Sequence, residues 1–289
     1  MKIIRYFIVK RQRFLEILIL FLFKRNIESP VRDMKKLLGI FSKYRCDYNK
    51  EYLKLNMKKV VYTLMLVAVV SCGKVSPKGN IEKKDVDVSE FVNLDLEGKF
   101  RVFYARGPKN FVEIETYPNV ASNLDVDVKD KTLFIKEKRG TKGVDFYNVT
   151  IYSKYNLEKV AVSDSVEVNI SSEIKTDNFR LNMKNNASFM GSVNTRRAEV
   201  EMHNRSRANF LGLSKDAVIK ISDTASLIAP YWKITNLNID SKNGNYAEVN
   251  VKDSLKGHIQ NTAKFIYYND PIRAFKIDKT TKVENKKLE

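Results

Sequence analysis

The chain is short of the residues that build most compact active centres. Its 289 residues include two cysteines, Cys46 and Cys72, and two histidines, His203 and His258. The cysteines lie in segments of quite different character, so a disulfide framework is excluded. With no cysteine after position 72, a zinc site has almost no nitrogen or sulfur ligands to draw on, and we expect neither metal nor cofactor. Long apolar runs are also missing. The clearest, Val60 to Val70, spans about 16 Å as a helix, roughly half a bilayer core, and cannot cross a membrane by itself. After Cys72 no stretch keeps a helical period.

Charge of one sign is abundant but badly distributed for a nucleic-acid partner. The formal charge of +18 is concentrated at the start, where residues 1–56 hold 14 Lys/Arg against 5 Asp/Glu. Beyond Cys72 there are 36 basic and 29 acidic residues, a dispersed surplus of +7. No basic cluster interleaved with aromatics occurs there, so we expect no nucleic-acid partner.

Residues 57–72 read MKKVVYTLMLVAVVSC. Lys58 and Lys59 form a positive n-region, Val60 to Val70 an apolar h-region, and Val69-Val70-Ser71-Cys72 an ending of small and aliphatic residues before a cysteine. The ending resembles the lipobox of bacterial lipoproteins, in which the cysteine is lipidated and becomes the mature N-terminus. That resemblance implies an exported protein held in the envelope, at the outer membrane on its periplasmic or surface face, by lipid on Cys72. Several acyl chains would hold it, since one chain anchors only marginally. Met57 is read as the true start, with residues 1–56 a non-native upstream extension or a poorly ordered segment. Residues 73–85 are polar with Pro and Gly, as a tether should be.

Strand signals follow. Leu94–Leu96, Arg101–Tyr104, Val112–Ile114, Val126–Val128, Leu133–Ile135 and Val149–Ile151 alternate or are β-branched, with turn residues between them. A repeat then emerges around one Asp or Asn per unit: Asp164, Asn185, Asn204, Asp223, Asn243 and Asn261, separated by 21, 19, 19, 20 and 18 residues. Two positions before each marker stand Val162, Met183, Met202, Ile221, Ser241 and Ile259. Two positions after stand Val166, Ala187, Ser206, Ala225, Asn245 and Ala263. Each unit therefore reads strand, corner, strand. A unit of this size cannot bury its apolar face alone, but units stacked at roughly 4.8 Å share one core. The expected fold is all-β: a single-stranded, parallel β-helix-like solenoid of about 19-residue coils over residues 86–272, preceded by short N-terminal strands. Asp and Asn suit the corners because they tolerate left-handed backbone and can hydrogen-bond their own turn. An exposed Asn/Asp ligand row is the competing reading of the same ladder, and the marker's place within the core rhythm favours structure.

The turns Ser163-Asp164-Ser165, Asn185-Asn186-Ala187-Ser188, Ser222-Asp223-Thr224-Ala225-Ser226, Asn243-Gly244-Asn245 and Asn261-Thr262-Ala263 resemble those of the putative auto-transporter adhesin, head GIN domain family. Val126 to Lys136, Leu157 to Val160 and Ile266 to Pro271 are similar as well. The likeness covers roughly residues 86–272 and implies a β-solenoid in an envelope lipoprotein. This chain has Asp, Asn, Arg205 or Thr where the family often has Gly.

Catalytic chemistry finds little to use. Asp164 and Asp223 are three units apart, about 14 Å, beyond the roughly 5–9.5 Å of glycosidase pairs. Glu199 and Glu201 share one face, but Arg196, Arg197 and Arg205 nearby suggest a solvated ion-pair face. His203 and His258, about three units apart, cannot share a metal. Tyr231, Trp232, Tyr267 and Tyr268 are candidate contacts for a glycan or an envelope or cell-surface protein. Pro230 should bend its strand, Pro271 should close the solenoid, and the Lys-rich tail 273–289 should be a short strand followed by disorder. No catalytic residue is assigned. A non-enzymatic binding or adhesion module is expected, with a carbohydrate-active enzyme on a β-helix scaffold and a purely structural envelope protein as the alternatives.

Overall fold

A computed structural model of the protein describes residues 73–288. These belong to a compact unit, residues 73–289, with a hydrophobic core of its own. Cys72, the signal-like stretch 57–72 and the upstream segment 1–56 lie outside the described residues.

From Lys159 onward the chain winds into about seven stacked turns. β8 (Lys159–Asp164) and β9 (Glu167–Ile170) make the first, and β10 (Ile174–Met183) opens the second. β11 (Ser188–Met202), β12 (Arg207–Ser222), β13 (Ser226–Lys242) and β14 (Tyr246–Gln260) are long strands that bend midway, so that each contributes to two stacks. We call the stack before each corner the A face and the stack after it the B face. β15 (Lys264–Tyr268), β16 (Ile272–Ile277) and β17 (Lys282–Lys286) complete the winding, and every strand pairs in parallel with its equivalent one turn on.

The positions two before each marker stand in direct vertical register. Val162 faces Met183, Met183 faces Met202, Met202 faces Ile221, Ile221 faces Ser241 and Ser241 faces Ile259. All six are buried. Alternation of period two sends these side chains inward and their neighbours outward, and the parallel ladder copies that choice from turn to turn. Ser241 is the polar exception, and its hydroxyl donates to Asn245 Oδ1 at 2.7 Å. Asn245 Nδ2 in turn donates to the carbonyls of Ile221 and Lys242, so the buried pair is satisfied. Aromatic rings continue the column on the B side, with Phe189 against Phe210 at 5.1 Å and Phe210 stacked on Trp232 at 4.5 Å.

Glycine is obligatory where two turns approach most closely. Gly257 has φ +125°, and a Cβ there would lie 1.8 Å from the carbonyl oxygen of Ile239. Gly212, with φ +107°, would bring a Cβ to 2.3 Å from that of Val193. Both sites combine left-handed backbone with no room for a side chain.

The N-terminal end is less regular than sequence suggests. β2 (Asn93–Gly98) and β3 (Arg101–Arg106) do not precede the solenoid but form one of its turns. That turn is sandwiched between β8–β9 and a turn made of β6 (Thr132–Glu137) and β7 (Asn148–Ser153). The end is then covered by antiparallel strands, β5 (Leu124–Lys129) on β6, β4 (Phe111–Thr116) on β7 and β1 (Glu82–Asp87) on β4. The one helix among the described residues, α1 (Pro118–Ala121), is four residues long. None there is long and apolar enough to cross a membrane.

Three boundary expectations need correction. The stretch 73–85 is not a free tether: Val75 is buried and bridges to Thr141, Asn119 binds Ser76 and Lys78, and β1 begins at Glu82. Pro271 does not close the solenoid, because β16 and β17 add a further turn where a short strand and disorder were expected. Phe275 and Val283 carry that turn onto the core and cap it.

Gly257→Ala is expected to destabilise the 73–289 domain by several kcal/mol, on the order of 3–5. Met202→Ala in the core column should cost about 2–4 kcal/mol. Urea denaturation followed by circular dichroism measures both.

Candidate functional site

Three surfaces can be weighed: the corner ladder, the A face and the B face. At the corners, all six predicted markers have left-handed backbone, with φ between +55° at Asn261 and +67° at Asn243. Their side chains largely serve one another. Asn185 Nδ2 donates to Asp164 Oδ1 at 2.9 Å, and Asn261 Nδ2 to Asn243 Oδ1 at 3.2 Å. The backbone N–H of Asn204 donates to Asp223 Oδ2 at 3.1 Å and that of Asn261 to Asp278 Oδ2 at 2.7 Å. These bonds hold the carboxyls of Asp223 and Asp278 below the usual range, the backbone N–H being the leading cause in each. Asp278 ends the ladder and escaped the sequence reading because it directly follows Ile277, the partner of Ile259, and so comes one position earlier than the repeat calls for. An open groove of about 570 Å³ runs along Asp164, Asn185, Asn204 and Asp223, but much of the acceptor capacity lining it is engaged within the ladder.

The A face is polar and mixed in charge. Glu199 is gripped by Arg180, at 3.0 and 2.8 Å from Nε and Nη2, and by Arg197 at 3.1 Å. The two guanidinium groups push its carboxyl below the usual range, opposite to what a general acid needs. The expected ion-pair face is thus present at Glu199. His203 lies 2.8 Å from Ser222 Oγ through Nδ1 and 3.1 Å from Glu201 Oε1 through Nε2. Serine, imidazole and carboxylate follow the order of an acyl-transfer triad. The Ser222 hydroxyl, however, donates to Asp223 Oδ2 at 3.3 Å, which ties the cluster to the corner ladder. Among the described residues no three His, Cys, Asp or Glu side chains converge as metal ligands would.

The four predicted aromatics separate. Trp232 is wholly buried, its indole N–H donating to Ser214 Oγ at 2.9 Å, and Tyr267 is buried too. Neither presents a ring to a ligand. For Trp232 the cause is a register shift at Pro230: Asn209 pairs with Ile228, but Leu211 pairs with Tyr231 and Gly212 with Trp232. One extra residue reverses the alternation and turns the indole inward, where it stacks on Phe210. Tyr231 is turned outward and is 60% exposed.

Tyr231 stands in a patch that sequence reasoning missed. Met190, Leu211, Leu213, Ile228 and Tyr231 are each between 42% and 60% exposed and occupy three adjacent strands of the B face. Leu211 lies directly beside Tyr231, and Met190 and Ile228 flank Asn209. At the patch's edge, Glu248 accepts hydrogen bonds from the phenols of Tyr246 and Tyr268, which are pushed up to about 12, by burial first for Tyr246 and by the Glu248 bond first for Tyr268. Outward alternation at Met190, Leu211 and Leu213 could have flagged the patch, but only register shows that they adjoin.

Comparison with known proteins bears on these surfaces. A family model described as "Putative auto-transporter adhesin, head GIN domain" matches residues 90–271. No curated protein matches the chain. Among solved structures, a putative adhesin from Bacteroides fragilis is similar with a TM-score of 0.67 at 18% identity, covering 73% of this chain and 99% of that one. A putative adhesin from Parabacteroides merdae gives 0.59 at 17%, covering 75% and 99%. A putative lipid binding protein from Parabacteroides distasonis gives 0.61 at 15%, covering 75% and 100%. At these identities the likeness concerns the fold.

Two measurements check the corner assignment. Asn204→Gly should leave stability nearly unchanged, whereas Asn204→Ala should lose about 1 kcal/mol or more, because alanine resists left-handed backbone. The lowered carboxyls of Asp223 and Asp278 favour the fold above their unfolded value, about 3.9, and that contribution is lost as pH falls through the folded value. In acid titrations followed by circular dichroism, Asp223→Asn should flatten the fall.

Proposed function

Because the chain belongs to the putative auto-transporter adhesin, head GIN domain family, we propose that it is a lipid-anchored, non-enzymatic adhesion module of the cell envelope. The observation that carries the reading is the B-face patch. Five large apolar side chains exposed together on a rigid sheet are unusual on a monomeric soluble domain and mark interaction sites. Tyr231 adds a broad contact face at little entropy cost. Family membership supports a cell-surface or envelope location, and the sequence 57–72 supports lipid on Cys72 as the means of attachment.

An esterase-like reading has one observation in its favour, the Ser222–His203–Glu201 order. The bond from Ser222 to Asp223 argues for the structural role instead.

Two experiments test the proposal. Expressed in a Gram-negative host fed an alkyne palmitate, the full chain should take up label and sediment with membranes. Cys72→Ala should do neither, and an unlabelled wild-type chain would refute anchoring. The 73–289 domain should adhere to intact bacterial cells, and Leu211→Ser with Tyr231→Ser should reduce adhesion about tenfold. Equal loss in the A-face variant Asn238→Ser would count against the B face.

A further inference from the structure

The chemistry of the B face points to a particular partner. Five side chains point outward from each of the three strands that carry the patch, Ser188 to Arg196, Arg207 to Lys215 and Ser226 to Thr235. None of them is a carboxylate. Besides the five apolar groups and small polar ones, they include Arg196, Arg207, Lys215 and Lys233, each exposed. Among the described residues these four form no ion pair within 4 Å, whereas basic groups elsewhere are often paired, such as Arg101 with Glu167 and Arg180 with Glu199. Two carboxylates border these strands: Glu248, beside Ile228, is covered by two phenol O–H donors, and Glu167, beside Ser188, is paired with Arg101 at 3.5 Å. Lys233 lies beside Leu213, and Arg196 and Lys215 follow at the next outward positions, while Arg207 stands at the opposite end of its strand. An apolar centre is thus rimmed by cations on both sides.

Resting on the reading of the B face as the contact surface, we propose that this face docks on an anionic lipid bilayer. The apolar side chains enter the upper acyl layer, Tyr231 sits at headgroup level, and the four cations meet phosphates. The cations lie in rows on a sheet and do not converge into a pocket, so they match a plane of negative charge better than a single small anion. The A face, with Glu199, Glu201 and Asp240 among its outward groups, lacks this pattern. If Cys72 is lipidated, the domain is already held beside a bilayer and weak intrinsic affinity is enough to lay it flat.

The test uses the 73–289 domain, which has its own core and lacks the lipid site. Its lack of cysteine allows single labels. In flotation with vesicles of phosphatidylcholine and phosphatidylglycerol at 70:30, the domain should bind at least tenfold better than to phosphatidylcholine alone and should dissociate as salt rises. Lys215→Gln with Lys233→Gln should weaken binding about fivefold or more with an unchanged melting temperature. An environment-sensitive dye on Leu213→Cys should shift to the blue on anionic vesicles, and the same dye on Asn238→Cys should not. Equal binding to neutral vesicles, a shift at Asn238→Cys, or no vesicle binding would each overturn the inference. If vesicles fail while Leu211→Ser still abolishes adhesion to cells, the B face stands and its partner is a protein or glycan. If the variant leaves adhesion intact as well, the B-face reading itself falls.

Discussion

Everything in this domain depends on the parallel backbone ladder holding its register through each corner from turn to turn, with shifts confined to the stretch after Ile228. Once Val162 faces Met183 and Met183 faces Met202, each inward position repeats as a column, and so does each outward one. A slip of one residue would turn the core of that turn into solvent. The corners guard against such slips by fixing where each strand ends. Left-handed residues at Asp164, Asn185, Asn204, Asp223, Asn243 and Asn261 terminate the A-face strands, and hydrogen bonds between several successive corners tie neighbouring turns together. The interior then accepts varied chemistry, from Ile221 to the hydrogen-bonded pair of Ser241 and Asn245, provided each rung is satisfied.

Sequence made the regular part readable for local reasons. Left-handed backbone restricts the residue type at a corner, and alternation reports which side chains are inward, so the six markers and their buried flanks were visible without coordinates. The likeness to the head GIN domain family rested on the same turns. Features governed by non-local pairing were hidden. Nothing near Leu94 announces that β2 will lie between β6 and β8, and nothing near Trp232 announces the extra residue that turns its ring inward. The exposed patch was missed for a related reason: Met190, Leu211 and Tyr231 become neighbours only when their register is known.

The two faces have diverged on a common scaffold. The A face mixes signs and pairs Glu199 with Arg180 and Arg197, which suits solvent. The middle of the B face omits carboxylates and exposes apolar groups, at some risk of non-specific association. Because the core is shared, substitutions on either face can leave the fold unaffected, so surface chemistry can vary while the solenoid persists. Structures of the same fold at 15–18% identity accord with that freedom.

The sandwiched turn also sets how far the chain must loop to complete its N-terminal end. Leu94 finds its neighbours at Leu133 and Val160, and neither exists as a partner until the chain has looped out and returned twice. The ribbon of β2 and β3 thus closes on partners far away in sequence on both edges, while the later turns pair at about 19 residues' separation. Closure of long loops is slow relative to local pairing. The N-terminal end is therefore completed by the pairings most distant in sequence, whereas the winding that carries the B face rests on pairings about one coil apart.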